Sequence, residues 1–289
     1  MRAGNSEQEQ WVEYTPEPLL QHPRALARAL ARDLWRGREL AWRLAVRDLS
    51  AQYRQTALGV LWAFVVPLAN TLVWVFLGSS GVVATAAAPL PYPVYVFTGT
   101  MLWSIFVDAA NSPLRLTTNA APMLSKINFP REALIVSGML QALFHGVSKL
   151  VVLLLAVPLL EVNPGTSLLL VPLGVLALVL AGTVVGLLVT PLGMLYGDVG
   201  KSFPLVTQFL MYLSPVVFVM PATPGWAATV LSSNPLTPLL VSTRSWLTGT
   251  GDAMPAYFAA VVLAALVVLV VGLTAYRVAM PILIERMRG

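Results

Sequence analysis

Six apolar runs dominate this chain, and they lie at about 57–78, 94–111, 133–157, 168–195, 204–220 and 255–276. A helix needs roughly 20 apolar residues to cross a bilayer, so each run reads as a span, with the second and fifth short and the fourth long enough to tilt. Of the 289 residues, 57% are hydrophobic and only 11% are charged, a balance that no soluble domain of this size needs. The expected fold class is therefore an all-α integral membrane protein with six transmembrane helices. No apolar stretch precedes Ala57, so the first run is expected to serve as its own insertion signal.

Ahead of the spans, residues 1–23 form a polar N-terminal tail and residues 24–56 an amphipathic interface helix with a linker. From Arg24 to Leu49, Leu26, Leu30, Leu34, Leu40 and Leu44 share one side at helical spacing, and Arg28, Arg32, Arg36, Arg43 and Arg47 share the other. Trp35 and Trp42 stand at the boundary, where amphipathic rings gain most at lipid headgroups. This reads as a helix lying on the cytoplasmic membrane surface, with docking on a soluble partner as the alternative. Gly37 is expected to divide it into two helices.

Orientation follows from Lys and Arg in the connections. Sixteen lie on one side: nine before the first span, then Arg115, Lys126, Arg131, Lys201, Arg277, Arg286 and Arg288. Arg244 is alone on the other side, so both termini are expected in the cytoplasm, residues 281–289 forming a cytoplasmic tail after a transmembrane domain over 57–280. The net charge of +5 reflects this anchoring bias and calls for no nucleic acid.

Three features between the spans bear on function. In APMLSKINFPREAL, the apolar pair Ile127 and Phe129 is flanked by Lys126, Arg131 and Glu132, a knob suited to a groove on a soluble partner. In YGDVGKSFP, Gly200, Lys201 and Ser202 imitate a phosphate-binding loop, but Leu195 occupies the position where that motif needs glycine. The connection from Pro221 to Met254 is half apolar, and its runs are too short to cross, which suits re-entrant or interfacial helices at about 224–249. Pro235 and Pro238 start the second of these and Gly249 to Gly251 end it.

Ionisable groups within spans are costly and point to function. They are Asp108, His145 and Lys149. With the second span ending at Asn111, Asp108 falls near the cytoplasmic end and Lys149 near the exterior end of the next span, so no direct ion pair between them is expected. Two histidines and no cysteine form no metal site or nucleophile–base pair that the sequence reveals.

Four segments in order, RDLSAQYRQTALGVLWAFVVPL, LSKINFPREAL, FPLVTQFLMYLSPVVFVM and NPLTPLLVSTRSWLTG, resemble the membrane subunit of ABC-2 polysaccharide exporters: O-antigen, capsule and teichoic-acid permeases. The resemblance covers about residues 34–280 and departs at Tyr196-Gly197-Asp198, where that family commonly has Arg before this Asp. It implies a homodimer of six-span permeases, each docked on a cytoplasmic ABC ATPase subunit, exporting an undecaprenyl-linked polysaccharide, O-antigen foremost, from the bacterial inner membrane. Cofactors would be none on this chain, with ATP and magnesium on the partner. Substrate admission at the lipid pyrophosphate would fall to Arg47, Arg54 and Tyr53. Channel lining would fall to Trp62, Phe64, Trp74, Phe209, Tyr212 and Phe218. Lys126, Ile127, Phe129, Arg131 and Glu132 would couple to the ATPase, and Trp226, Asn234, Pro235, Arg244 and Trp246 would form an exterior gate. Two alternatives stay open: an exporter of a small lipophilic molecule or lipid, and an intramembrane enzyme or scaffold that needs no ATPase.

Overall fold

The computed structural model describes residues 23–54, 61–81, 88–124, 131–158, 162–219 and 225–288. Among them every regular element is helical: α1 (Pro23–Arg54), α2 (Trp62–Ser79), α3 (Tyr92–Leu124), α4 (Glu132–Ala156), α5 (Val171–Leu195), α6 (Gly197–Leu210), α7 (Trp226–Ser233), α8 (Leu236–Thr248) and α9 (Pro255–Arg288). A 3₁₀ turn, Gly165–Leu170, leads into α5, and another, Met211–Leu213, follows α6. Four helical stretches are long and apolar enough to cross a membrane: Tyr92–Met123, Glu132–Ala156, Gly165–Leu195 and Pro255–Met280. Val65–Ser79 within α2 is apolar but shorter.

The centre of the molecule is the packing of α3 against α5. Ala109 and Ala110 on α3 face Gly182 and Gly186 on α5, and a Cβ at Gly186 would strike the Ala110 carbonyl. Small residues let the two backbones meet closely, the device by which helices associate where no hydrophobic drive separates protein from lipid. Around that seam lie Met101, Leu102, Ile105 and Phe106 of α3, Leu178 of α5, and Leu239, Leu240 and Leu247 of α8, all out of contact with the surroundings. A second cluster gathers where the α3–α4 hairpin turns: Leu134 and Ile135, Leu187, Leu273, Tyr276, Met280 and Leu44 of α1. There Arg277 reaches Asp33 of α1 at 2.6 Å and Glu132 of α4 at 3.6 Å, joining three helices through one guanidinium.

Several expectations change. α1 is one 32-residue helix, and Gly37 does not divide it: the glycine is buried on the face carrying Ala41, Leu44 and Ala45, where a small residue admits close contact. The run expected to end at Asn111 continues as helix to Leu124, because Ser112 to Leu124 keep a buried side despite their polar composition. The run at 204–220 is not one helix. α6 ends at Leu210, and Ser214 turns to extended backbone ahead of Pro215, whose ring disfavours helix in the residue before it. α9 runs to Arg288, so the segment expected as a tail beyond 280 is helical.

α8 is buried on nearly every side, with Val241 alone part-exposed between Leu236 and Thr248. Its 13 residues reach about 20 Å, short of the roughly 30 Å of a bilayer core. The helix begins after Pro235 and stops at Gly249, which takes a left-handed φ of 75°.

Candidate functional site

A cavity of about 1020 Å³ is walled by α2, α3, α4 and α6, with Gln52 from the last turn of α1 at one end. Its polar side comes from two stripes. On α3, Thr100, Ser104, Asp108, Asn111 and Arg115 follow one another at spacings of four, four, three and four, which holds them within one quarter of the helix circumference. From Thr100 to Arg115 they span about 22 Å at 1.5 Å per residue. On α4, Gln141, His145 and Lys149 repeat every fourth residue and face the first stripe.

Lys149 Nζ lies 2.7 Å from Asp108 Oδ2. This ion pair overturns the expectation that the two groups would be too far apart in depth. The reason is the length of α3: Asp108 stands 16 residues before its end at Leu124, and Lys149 stands 17 residues after the start of α4 at Glu132. Antiparallel helices joined at that end bring the two to the same level. The pair is asymmetric, with the Lys149 side chain 3% exposed and that of Asp108 37%.

Toward α1 the polar chain continues. Arg115 Nη2 donates to Gln141 Oε1 at 3.3 Å, and the buried Gln141 Nε2 donates to Asp48 Oδ2 at 3.4 Å. Asp48 in turn accepts from Arg47 Nε at 2.8 Å. The exposed Arg47, one of the residues expected to receive a lipid headgroup, is thereby linked to the end of the cavity through two side chains. Arg54 is exposed on the last turn of α1, and the side chain of Tyr53 lies outside the described residues.

The other wall is mostly apolar, with Asn70, Thr207 and Gln208 among aliphatic residues, and it carries two rings. Trp74 on α2 packs on Tyr212 at 6.1 Å and on Phe218 at 5.4 Å between ring centroids, and Tyr212 packs on Phe209 at 6.4 Å. Four of the six rings expected along a channel are therefore brought together; Trp74 and Tyr212 face the cavity, and Phe209 is largely exposed. The side chains of Trp62 and Phe64 lie outside the described residues. An apolar wall with two rings facing a polar stripe suits a ligand that is polar yet has apolar C–H faces.

Beyond one end of the cavity, the backbone from Ser214 to Val219 is irregular and mostly buried. Buried backbone groups without partners are costly, and here side chains from elsewhere satisfy them. Tyr92 Oη donates to the Val217 carbonyl at 3.3 Å; Tyr95 Oη reaches the Pro215 and Phe218 carbonyls at 3.3 and 3.1 Å. Arg244 of α8, 4% exposed, donates Nη2 to the Val216 carbonyl at 3.0 Å and stacks 3.8 Å over the Tyr95 ring. Asn234 Nδ2 donates to the Leu213 carbonyl at 2.7 Å. Gly99 makes room for this collar, since a Cβ there would strike both Arg244 and the Val216 carbonyl.

Of the residues expected at an exterior gate, Asn234 and Arg244 thus converge on one irregular segment. Pro235 caps the start of α8, and Trp246 packs on Phe258 at 4.9 Å. Trp226 stands apart, 83% exposed. Of those expected to meet an ATPase, Lys126, Ile127 and Phe129 lie outside the described residues, Arg131 sits at the turn before α4, and Glu132 is buried against Arg277 rather than presented outward. Among the described residues no three of His, Cys, Asp or Glu come together as metal ligands would.

Sequence reasoning missed the α3 stripe, Gln141, Tyr92 and Tyr95. The signal for the stripe was present: polar residues at helical spacing inside an apolar run. Ending the span at Asn111 left Arg115 counted as a connecting-segment cation.

No protein-family model matches the chain. It is 22% identical over 231 residues to the O-antigen export system permease protein RfbA of Klebsiella pneumoniae, covering 80% of this chain and 88% of that one. It is 23% identical over 242 residues to the polysialic acid transport protein KpsM of Escherichia coli, covering 81% and 91%. A similarly named RfbA of Myxococcus xanthus is 32% identical over 105 residues, covering 36% of this chain and 39% of that one. Over most of its length, then, this chain is a homologue of permeases of the ABC-2 polysaccharide-exporter kind.

Proposed function

We propose that this chain is the membrane-spanning permease subunit of an ATP-driven exporter that moves an undecaprenyl-linked polysaccharide, O-antigen foremost, across the bacterial inner membrane. The observation that carries the reading is the cavity between α2, α3, α4 and α6, with hydroxyls and amides on one side and the Trp74–Tyr212 pair on the other. Such walls hold each sugar weakly by its C–H faces and hydroxyls and let the next replace it. The similarity to polysaccharide-export permeases over four fifths of the chain supports the same substrate class.

On this reading the chain spans the membrane six times. α2 is the first span, and α6 with the irregular segment after it is the fifth. α7 and α8 fold back from the exterior side, and both termini lie in the cytoplasm with α1 on the inner leaflet. Two copies pair across the cavity: α2 and α6, which wall it, carry exposed Leu72, Phe76, Leu205 and Phe209. ATP and magnesium are bound by two cytoplasmic ABC ATPase subunits, which push on the connection before Glu132; the Arg277 clamp passes that motion to α1 and α9. Arg47 and Arg54 gather the lipid pyrophosphate, whose oxygens match a guanidinium fork.

The test is loss of the gene in its own cell. Surface polysaccharide should vanish while lipid-linked glycan accumulates inside, and a plasmid copy should restore both. Unchanged surface polymer would overturn the reading, as would a small lipophilic molecule accumulating in place of glycan.

A further inference from the structure

The charges that line the cavity do not cancel. Lys149 is neutralised by Asp108 at 2.7 Å, which leaves Arg115 with no carboxylate partner among the described residues. Its one hydrogen-bond partner there is the neutral Gln141 amide. Gln141 is buried and tied on its far side to Asp48 and Ser137, each at 3.4 Å, so the oxygen that receives Arg115 is fixed in direction. Arg115 is exposed at the α1 end of the cavity, so beyond the one amide its N–H groups are open to an arriving ligand, while the other charged pair there, Asp108 and Lys149, is already closed on itself. The ligand chemistry that matches a planar fork of donors is a carboxylate or a phosphate.

We propose that Arg115, positioned by Gln141 and Asp48, binds an anionic group of the transported substrate at the α1 end of the cavity. This rests on the transport reading and deepens it: the site takes a substrate bearing acidic sugars or a phosphate-bearing head. Asp48 has a second task, since it also pairs with Arg47 on the outer face of α1. A phosphate or carboxylate arriving at Arg47 therefore competes for that pairing and leads toward the Gln141–Arg115 site.

The experiment uses the full chain in lipid nanodiscs and four probes. Polyprenyl diphosphate without sugar is compared with uncharged polyprenol, and an oligosaccharide of glucuronic acid with its neutral glucose counterpart. In a chain also carrying Arg47→Gln and Arg54→Gln, so that the outer guanidiniums contribute nothing, the expected result is that one charged probe binds at least tenfold more tightly than its uncharged counterpart, and that Arg115→Gln removes this preference while Arg115→Lys keeps part of it. Preference for the diphosphate assigns the anion to the lipid head; preference for the acidic sugar assigns it to the glycan. Gln141→Glu gives an independent check, because it sets a carboxylate against an intact Arg115 and should abolish the preference too. Absence of preference for either charged probe, or a preference that survives Arg115→Gln, would overturn the proposal. Loss of surface polymer on gene deletion would stand in either case.

Discussion

Asp108 and Lys149 differ in what each leaves behind when the other is removed. Lys149 is enclosed, so Asp108→Asn strands a buried cation without its counter-ion, a loss of about 3 kcal/mol. Lys149→Met leaves a carboxylate that faces the cavity and keeps part of its hydration, and should cost less. The double variant should unfold at a temperature above that of Asp108→Asn alone, because no charge remains to strand. Thermal unfolding of the purified chain in detergent reads all three; equal losses for the two single variants would contradict the asymmetry. At the opposite wall, Trp74 touches both Tyr212 and Phe218. Ring pairs contribute about 1 kcal/mol each, so Trp74→Ala should lower polymer export several-fold, with Trp74→Phe retaining most of it. Quantified surface polysaccharide would show this, and export untouched by Trp74→Ala would remove the ring from the path.

At the scale of elements, the segment from Ser214 to Val219 has one backbone hydrogen bond of its own, Val216 N–H to the Ser214 carbonyl at 2.7 Å, and is otherwise held by side chains of other elements. Tyr95→Phe removes one hydroxyl donor shared between two carbonyls while keeping the ring that supports Arg244. A lost hydrogen bond of this kind costs about 1 kcal/mol, so amide exchange at Val216 to Val219 should quicken about fivefold with α5 unchanged. Uniform exchange would mean the tyrosine hydroxyl does not hold the segment. In the α3–α5 seam, Gly186→Leu places a side chain against the Ala110 carbonyl. It should lower the unfolding temperature far more than Gly272→Leu, whose nearest neighbours are flexible leucine side chains. The same elements show why the sequence was only partly legible. α5 and α9 announced themselves through long, nearly uninterrupted apolar runs, and α4 through an apolar run interrupted by Gln141, His145 and Lys149. α3 was cut short because Asn111 and Ser112 read as a water-facing exit when they are enclosed in the cavity wall, and only from the exposed Arg115 onward does one side of the helix open outward. α6 was extended too far because the apolar run after it continues through Pro215, and hydropathy does not register a broken helix. The collar escaped notice because Tyr92 and Tyr95 also fit the tyrosines of a membrane boundary, and only folding brings them to residues more than 115 positions away.

For the whole molecule, the parts arrange themselves along one line. α1 and the Arg277 clamp lie at the hairpin end, the Gln141–Arg115 link enters the cavity, the Asp108–Lys149 pair sits partway along it, and the tyrosine–arginine collar lies beyond the far end. The central claim is that substrate moves along the polar stripe of α3. The chain contains no cysteine, so a single introduced thiol can be labelled without background. Ser104 lines the cavity, whereas Leu266 on α9 is exposed among apolar neighbours. With Ser104→Cys and Leu266→Cys each exporting before treatment, a bulky membrane-permeant thiol reagent should stop polysaccharide export through the first and leave the second working. Continued export after full labelling at position 104, or equal arrest at both positions, would contradict the account.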